Sequence, residues 1–206
     1  NEIGDGNRCY IVAEIGLNHN GSLDLAKKLI DVAIESGCDA VKFQKRNNVE
    51  LLTEEQYNAP HPNPVNSYGD TYGAHREFLE FDVEQHQELK TFCEDIGVTY
   101  STSVWDVTSA KEIASLKPEF IKIPSALLSD IDLISASAKI GKKIILSTGM
   151  STTDEIDQAV EAIQSTNSNC IYALLHCNSS YPAPNEDLNL ACIQTLKDRY
   201  NCEVGY

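Results

Sequence analysis

In this chain the side chains capable of chemistry stand at the ends of short apolar runs. Glu14 closes the run that begins at Tyr10, and Lys42 stands two residues before Gln44 at the end of the run that begins at Cys38. Thr102 with Ser103, Lys122 with Ser125, Ser147 with Thr148, and His176 end later runs of the same kind. Ionised groups are costly to place in apolar surroundings without a partner or a task. Two ammonium groups and a ring of hydroxyls describe a pocket for phosphate or carboxylate, the lysines supplying charge and the hydroxyls donors. Glu14 is then the proton-handling or hydroxyl-binding group. Each residue also has a structural reading: Glu14 and Lys42 pair across neighbouring strands, Ser147 and Thr148 cap a turn, and His176 is a hydrogen-bonded core residue. Lys122, between Ile121 and Ile123, is harder to assign to packing, because lysine is seldom buried unpaired.

The elements that must position these groups alternate at about 30 residues, the length of a βα unit. Strands are expected over residues 10–15, 40–44, 98–102, 120–123, 144–147, 171–176 and 202–206; nearly continuous apolar runs of this length suit parallel strands covered on both faces. Ser22 caps a helix through about Ser36 with Gly37 as its stop, and Asp82 with Gln85 forms a capping box for a helix ending at Gly97. Thr152 with Glu155 opens another through about Gln164, Gly141 ends one that begins near Ile131, and residues 188–200 have helical spacing. With no GxGxxG after the first strand, the pattern favours a (β/α)8 barrel over a dinucleotide-binding sheet. Seven strands and six helices are counted, so the barrel is expected to be incomplete at its C-terminal end, lacking the last helix, strand and helix. The connection over residues 46–81, rich in Asn, Pro, Tyr and Gly, follows a strand and is expected on the active-site face as a lid, or as a surface excursion without function.

Composition narrows the partners. With 206 residues, 42% of them hydrophobic, the chain can bury a substantial core. No run approaches the roughly 18 apolar residues of a membrane span. A formal net charge of −15 argues against nucleic acid or an anionic membrane surface, which need clustered Lys and Arg. The N-terminus shows no basic segment followed by an apolar stretch and a cleavage site, so the cytoplasm is the expected compartment. The seven cysteines form no C-x-x-C pair and are expected to be reduced and mostly buried.

The segments VAEIGLNHNG, CDAVKFQKR, FIKIPSA, KKIILSTGMS and LLHCNSSYPAP, in this order and spacing, resemble the sialic acid synthase family, which makes N-acetylneuraminate, legionaminate and pseudaminate. The resemblance runs from about Cys9 to Tyr206 and implies a (β/α)8 TIM barrel. It implies condensation of phosphoenolpyruvate with the open-chain aldehyde of an N-acetylated hexosamine, aided by a divalent cation, commonly manganese. C3 of phosphoenolpyruvate attacks the aldehyde, water adds at C2, and phosphate leaves by C–O cleavage from a tetrahedral intermediate. By motif position, Lys42, Thr102, Lys122, Ser125 and Ser147 bind phosphoenolpyruvate, Glu14 sits at the reacting carbons, and Gln44 with Tyr181 faces the sugar. Catalytic weight then falls on Glu14, Lys42 and Lys122.

Departures from the family pattern bear on the sugar. Leu127 stands where N-acetylneuraminate synthases carry an acidic residue, Ser179 replaces an asparagine of the substrate site, and the STPF-like segment reads Ser101-Thr-Ser-Val-Trp105. The family's metal histidines and its antifreeze-like domain are expected beyond Tyr206, so these residues alone are expected to bind no metal and to be inactive, and the full-length parent to be a homodimer. Two other functions compete: a class I aldolase with Lys122 as its Schiff base, and a non-catalytic barrel that binds a sugar or anion.

Overall fold

The computed structural model describes residues 3, 4, 6–140 and 143–206, which form two compact units, residues 11–119 and residues 1–10 with 120–206. The expected stop at Gly141 lies outside the described residues.

In the unit of residues 11–119, β1 (Val12–Gly16), β2 (Ala40–Lys45) and β3 (Thr99–Val104) pair in parallel and in sequence order. Between β1 and β2 runs α1 (Leu23–Glu35), whose N-cap Ser22 accepts a hydrogen bond from Leu25 N–H as the sequence predicts. The connection after β2 is shorter on loop than expected. It holds α2 (Asn48–Leu51), α3 (Glu54–Asn58) and α4 (Tyr72–Leu79), and a 3-10 turn over Pro64–Asn66. Thr53 and Thr71 cap α3 and α4, so Ser/Thr punctuation inside a polar segment is the physical reason for this order. Then comes α5 (Val83–Ile96), with the expected capping box at Asp82 and Gln85 and a left-handed Gly97 at its end. After β3, α6 (Val107–Ser115) is capped by Asp106.

Side-chain alternation sorts this unit into two layers. Phe43, Tyr100, Ile30, Leu89 and Cys93 belong to one apolar cluster shared with α1 and α5. Burying a side chain such as Phe43 or Leu89 contributes roughly 1.5–3 kcal/mol.

The other unit repeats the plan with β4 (Ile121–Ile123), α7 (Ile131–Ile140), β5 (Lys143–Ser147), α8 (Thr153–Thr166), β6 (Ile171–Leu175), α9 (Cys192–Tyr200) and β7 (Glu203–Gly205). Its strands are also parallel and ordered as in the chain. Ile121, Ile123, Ile144, Leu146 and Leu174 are fully or nearly fully buried, while Lys122 and Ile145, which stand in register between them, share the opposite face with Ser147. The helix expected over residues 188–200 begins only at Cys192, because Asn189 takes a left-handed backbone, φ 48°, that a helix does not tolerate.

Thus the α/β class, built of parallel βα units, is what the chain adopts, with seven strands among the described residues. Six helices, α1 and α5 to α9, follow the βα rhythm, and three short ones fill the long connection. The seven cysteines are free, but the expectation that most are buried is wrong: Cys93 and Cys170 are buried, Cys9 is exposed, and the other four are intermediate. Among the described residues no helix is long and apolar enough to cross a membrane.

Candidate active site

In the unit of residues 11–119 the chemistry collects on the face opposite the apolar cluster. Glu14 stands in register with Lys42, and Lys42 with Ser101. The Lys42 ammonium forms an ion pair with the Glu14 carboxylate and donates to Ser103 Oγ at 3.0 Å. Lys42 is buried while half of the Glu14 side chain is exposed, so the pair has one dry end and one end open to a ligand.

A register shift between Glu14 and Gly16 places Gly16 beside Phe43 of β2. Gly16 has φ +56°, a left-handed conformation that disfavours any other residue, and an added Cβ would meet Glu14 Oε1 at 3.1 Å and Gln44 Nε2 at 3.3 Å. Gln44 in turn accepts a hydrogen bond from Arg46 Nη2 at 2.6 Å, and the Arg46 guanidinium lies 3.8 Å over the Trp105 ring.

Thr102 is not brought to this group. It is fully buried on the other face, where its Oγ1 lies 3.0 Å from the Tyr100 hydroxyl, itself 2.8 Å from His86 Nδ1 of α5. Its neighbour Ser103 is the hydroxyl beside Lys42. One residue along a strand changes the face, and the apolar-run argument does not resolve that step.

In the other unit Lys122 has no carboxylate partner among the described residues, and burial lowers its pKa to about 8, partly offset by the neighbouring Cys177 thiol. Ser125 lies in the 3-10 turn that follows β4 and accepts a hydrogen bond from Gly149 N–H at 3.0 Å. A Cβ on Gly149 would stand 2.9 Å from both Ser125 Oγ and Ser179 Oγ and 3.2 Å from the Cys177 carbonyl oxygen. Ser125, Gly149, Cys177 and Ser179 therefore converge on one tight turn. Ser147 ends β5 nearly fully buried, and Thr148 donates its hydroxyl to the Leu175 carbonyl at 3.0 Å.

His176 has the structural role, a ring nitrogen 2.8 Å from the Leu188 carbonyl. Tyr181 is 95% exposed. The residues that the strand-end reading passed over are Gly16, Arg46, Trp105, Gly149 and Cys177. Gly16 and Gly149 were legible as glycines beside polar strand ends; the others carry no pattern of their own in sequence.

Among the described residues no three His, Cys, Asp or Glu side chains come together to hold a metal ion.

A sequence profile of the NeuB family matches residues 29–206. The chain is 35% identical over 202 residues to N-acetylneuraminate-9-phosphate synthase of Drosophila melanogaster, covering 96% of this chain and 53% of that protein. It is 35% identical over 200 residues to N,N'-diacetyllegionaminic acid synthase of Campylobacter jejuni, covering 97% of this chain and 60% of the other. The chain thus spans little more than half the length of these curated relatives. Its structure is similar to the crystal structure of N-acetylneuraminic acid synthetase from Leptospira borgpetersenii in complex with citrate, with TM-score 0.82 and 32% identity over all of this chain and 69% of that one.

Proposed function

This chain belongs to the NeuB family, and on that premise we propose that it is the catalytic barrel portion of an enzyme that condenses phosphoenolpyruvate with an N-acetylated hexosamine aldehyde, forming a nonulosonic acid and releasing phosphate. The observation that carries the reading is Lys122, half-buried on β4 between two buried isoleucines, an ammonium that lacks a carboxylate partner among the described residues. A phosphate or carboxylate supplies that partner.

By motif position, Lys122, Ser125 and Ser147 of one unit are proposed as phosphoenolpyruvate residues; in the unit of residues 11–119, Lys42 is proposed with Ser103, the hydroxyl it donates to, and Thr102 faces the other side of β3. Glu14, paired with Lys42, is proposed to face the carbon–carbon bond being formed and to position the aldehyde. Gln44, Ser179 and Tyr181 are assigned to the sugar; the last two are exposed and so accessible to a ligand. For the whole protein, manganese held by ligands other than those described is the proposed cation, with a homodimeric assembly and a cytoplasmic location also proposed.

The test is phosphate release from phosphoenolpyruvate by the full-length protein, with N-acetylmannosamine and its 2,4-diacetamido-6-deoxy counterpart in separate arms and manganese present. Release that requires an amino sugar supports the reading; release without one, or none with either sugar, overturns it. The lowered pKa of Lys122 also favours a second reading, a class I aldolase, since a neutral amine forms a Schiff base with a ketone. Borohydride trapping with pyruvate that labels Lys122 would decide for the aldolase.

A further inference from the structure

We infer that His61 and His75 form an acid-sensitive clasp that ties residues 60–71 to α4, with His75 the ring that must stay neutral for the clasp to hold. The inference concerns the long connection after β2 and stands independently of the synthase reading.

Residues 60–71 have little order of their own. Pro60, Pro62 and Pro64 carry no backbone donor, and the 3-10 turn over Pro64–Asn66 is the one regular element among them. The neck of the segment is closed by Tyr72 N–H, which donates to the Ala59 carbonyl at 2.7 Å. Further along, Gly69 lies so close to α4 that an added Cβ would stand 2.7 Å from the Ala74 Cβ. The rest of the attachment is made by rings. His61 and His75 have centroids 4.3 Å apart, Tyr72 lies 5.8 Å from His61, and Tyr68 stacks on both His75 and Phe78, at 5.7 and 4.4 Å. Tyr72, His75 and Phe78 belong to α4, and His61 and Tyr68 to the segment.

The hydrogen bonds decide which protonation state this arrangement requires. His75 Nδ1 accepts from Tyr68 N–H at 3.2 Å, a bond that exists only while that nitrogen is bare. His61 Nδ1 is placed differently, 3.1 Å from the Asn63 nitrogen and 2.7 Å from the Asn63 carbonyl oxygen. A proton on His61 thus exchanges one hydrogen bond for another, whereas a proton on His75 Nδ1 removes the bond that crosses from α4 to the segment. A charge on either ring also faces the other imidazole. Among the described residues no carboxylate pairs with either ring, and Arg76, 6.0 Å over the Tyr72 ring, adds positive charge. Burial, and then His61 beside it, hold the His75 pKa below the ordinary 6.5. A ring of that kind is neutral in the closed segment and takes up a proton on release, so closure is complete above pH 6.5 and is lost as pH falls below it.

The test is hydrogen exchange at the Tyr68 amide of the full-length protein labelled with 15N-tyrosine, each rate divided by the intrinsic rate at that pH. The Tyr57 amide, which donates to Thr53 in the capped helix α3 of the same connection, is the internal control. Protection at Tyr68 is expected to fall up to about tenfold between pH 7.5 and 5.5, the most that one imidazole can supply over that interval, while Tyr57 stays within about twofold. His75→Asn sets an amide oxygen in place of Nδ1 and does not titrate; it is expected to keep protection at pH 7.5 and to lose the pH dependence. His61→Phe keeps a ring against His75 without the facing charge and is expected to show a smaller fall; it serves alone if His75→Asn does not fold. A wild-type fall of less than about twofold, an equal fall at Tyr57, or an unchanged pH dependence in either folded variant overturns the proposal. No substrate enters the measurement, so failure of the synthase reading leaves its outcome intact.

Discussion

Glu14 and Lys42 stand opposite each other in the register of β1 and β2 and share an ion pair, with Ser103 as a third partner at 3.0 Å from the ammonium. The carboxylate end is half exposed, so solvent screens the pair and its contribution to stability is small. Glu14→Gln is expected to cost about 1 kcal/mol in denaturant unfolding while lowering kcat of the full-length enzyme by 100-fold or more, about 2.7 kcal/mol in the barrier. A stability loss that accounts for the whole activity loss would reduce Glu14 to a structural partner of Lys42.

Three buried groups with large shifts dominate the pH dependence of the unit of residues 11–119 between pH 3 and 8. Burial raises the Glu80 carboxyl from 4.5 to about 8, against the pull of Lys45 and Arg76. Folded Glu80 thus keeps a proton that the unfolded chain has lost, and stability declines as pH rises from 4.5 to 8. Burial lowers His19 to about 4, against its hydrogen bond to the Gly16 backbone, and lowers His86 to about 3, helped by Lys45. The unfolded chain takes up protons at both below 6.5, so their effect is lost stability as pH falls. Above 6.5 only Glu80 acts; below it two histidines outweigh one carboxyl. Urea unfolding is expected to show maximal stability near pH 6.5, with limbs of about 1.4 kcal/mol per pH unit, and Glu80→Gln is expected to flatten the alkaline limb alone. A stability that climbs steadily to pH 8 would contradict this.

Gly149→Ala places a methyl 2.9 Å from two serine hydroxyls and 3.2 Å from a carbonyl oxygen. The turn must give, at about 1–3 kcal/mol. Because Ser125 accepts the Gly149 N–H, the displacement reaches a residue assigned to phosphoenolpyruvate. Isothermal titration should show weaker phosphoenolpyruvate binding for Gly149→Ala than for Gly97→Ala, where a Cβ would meet nothing within 4 Å.

Lys122 sets a pH limit on anion binding. An amine with a pKa of about 8 is mostly charged at pH 7 and mostly neutral at pH 9. Inorganic phosphate, already a dianion at pH 8, is expected to bind up to tenfold more weakly per pH unit above that point. Lys122→Met should bind weakly throughout and lose the dependence; a retained dependence would assign it to another group.

The strands were legible because buried parallel strands read as continuous apolar runs, but Glu14, Lys42 and Lys122 stand within β1, β2 and β4 and not at their ends, where the apolar-run argument expects them. Caps were legible at Ser22, Asp82 and Thr152, where one side chain satisfies a specific backbone donor. Facing was not. Thr102 and Ser103 are both hydroxyls at a strand end, and only the pairing partners, Tyr100 with His86 for one and Lys42 for the other, separate them. Arg46 carries no pattern of its own in sequence; its stacking depends on Trp105, 59 positions along the numbering, lying beneath it.

The bulge before Gly16 gives β1 two phases. Up to Glu14 the strand keeps step with β2; after it, two residues of β1 advance against one of its neighbour. The segment that follows therefore starts half a period out of step, and its His19 lies stacked on Phe81 in the apolar layer, with ring centroids 4.0 Å apart. One short strand thus answers to two environments. Deleting a single residue between Glu14 and His19 would restore the step and exchange their destinations, putting a carboxylate into oil or an imidazole onto the polar face. The bulge thus fixes the length of this segment as well as the identity of Gly16.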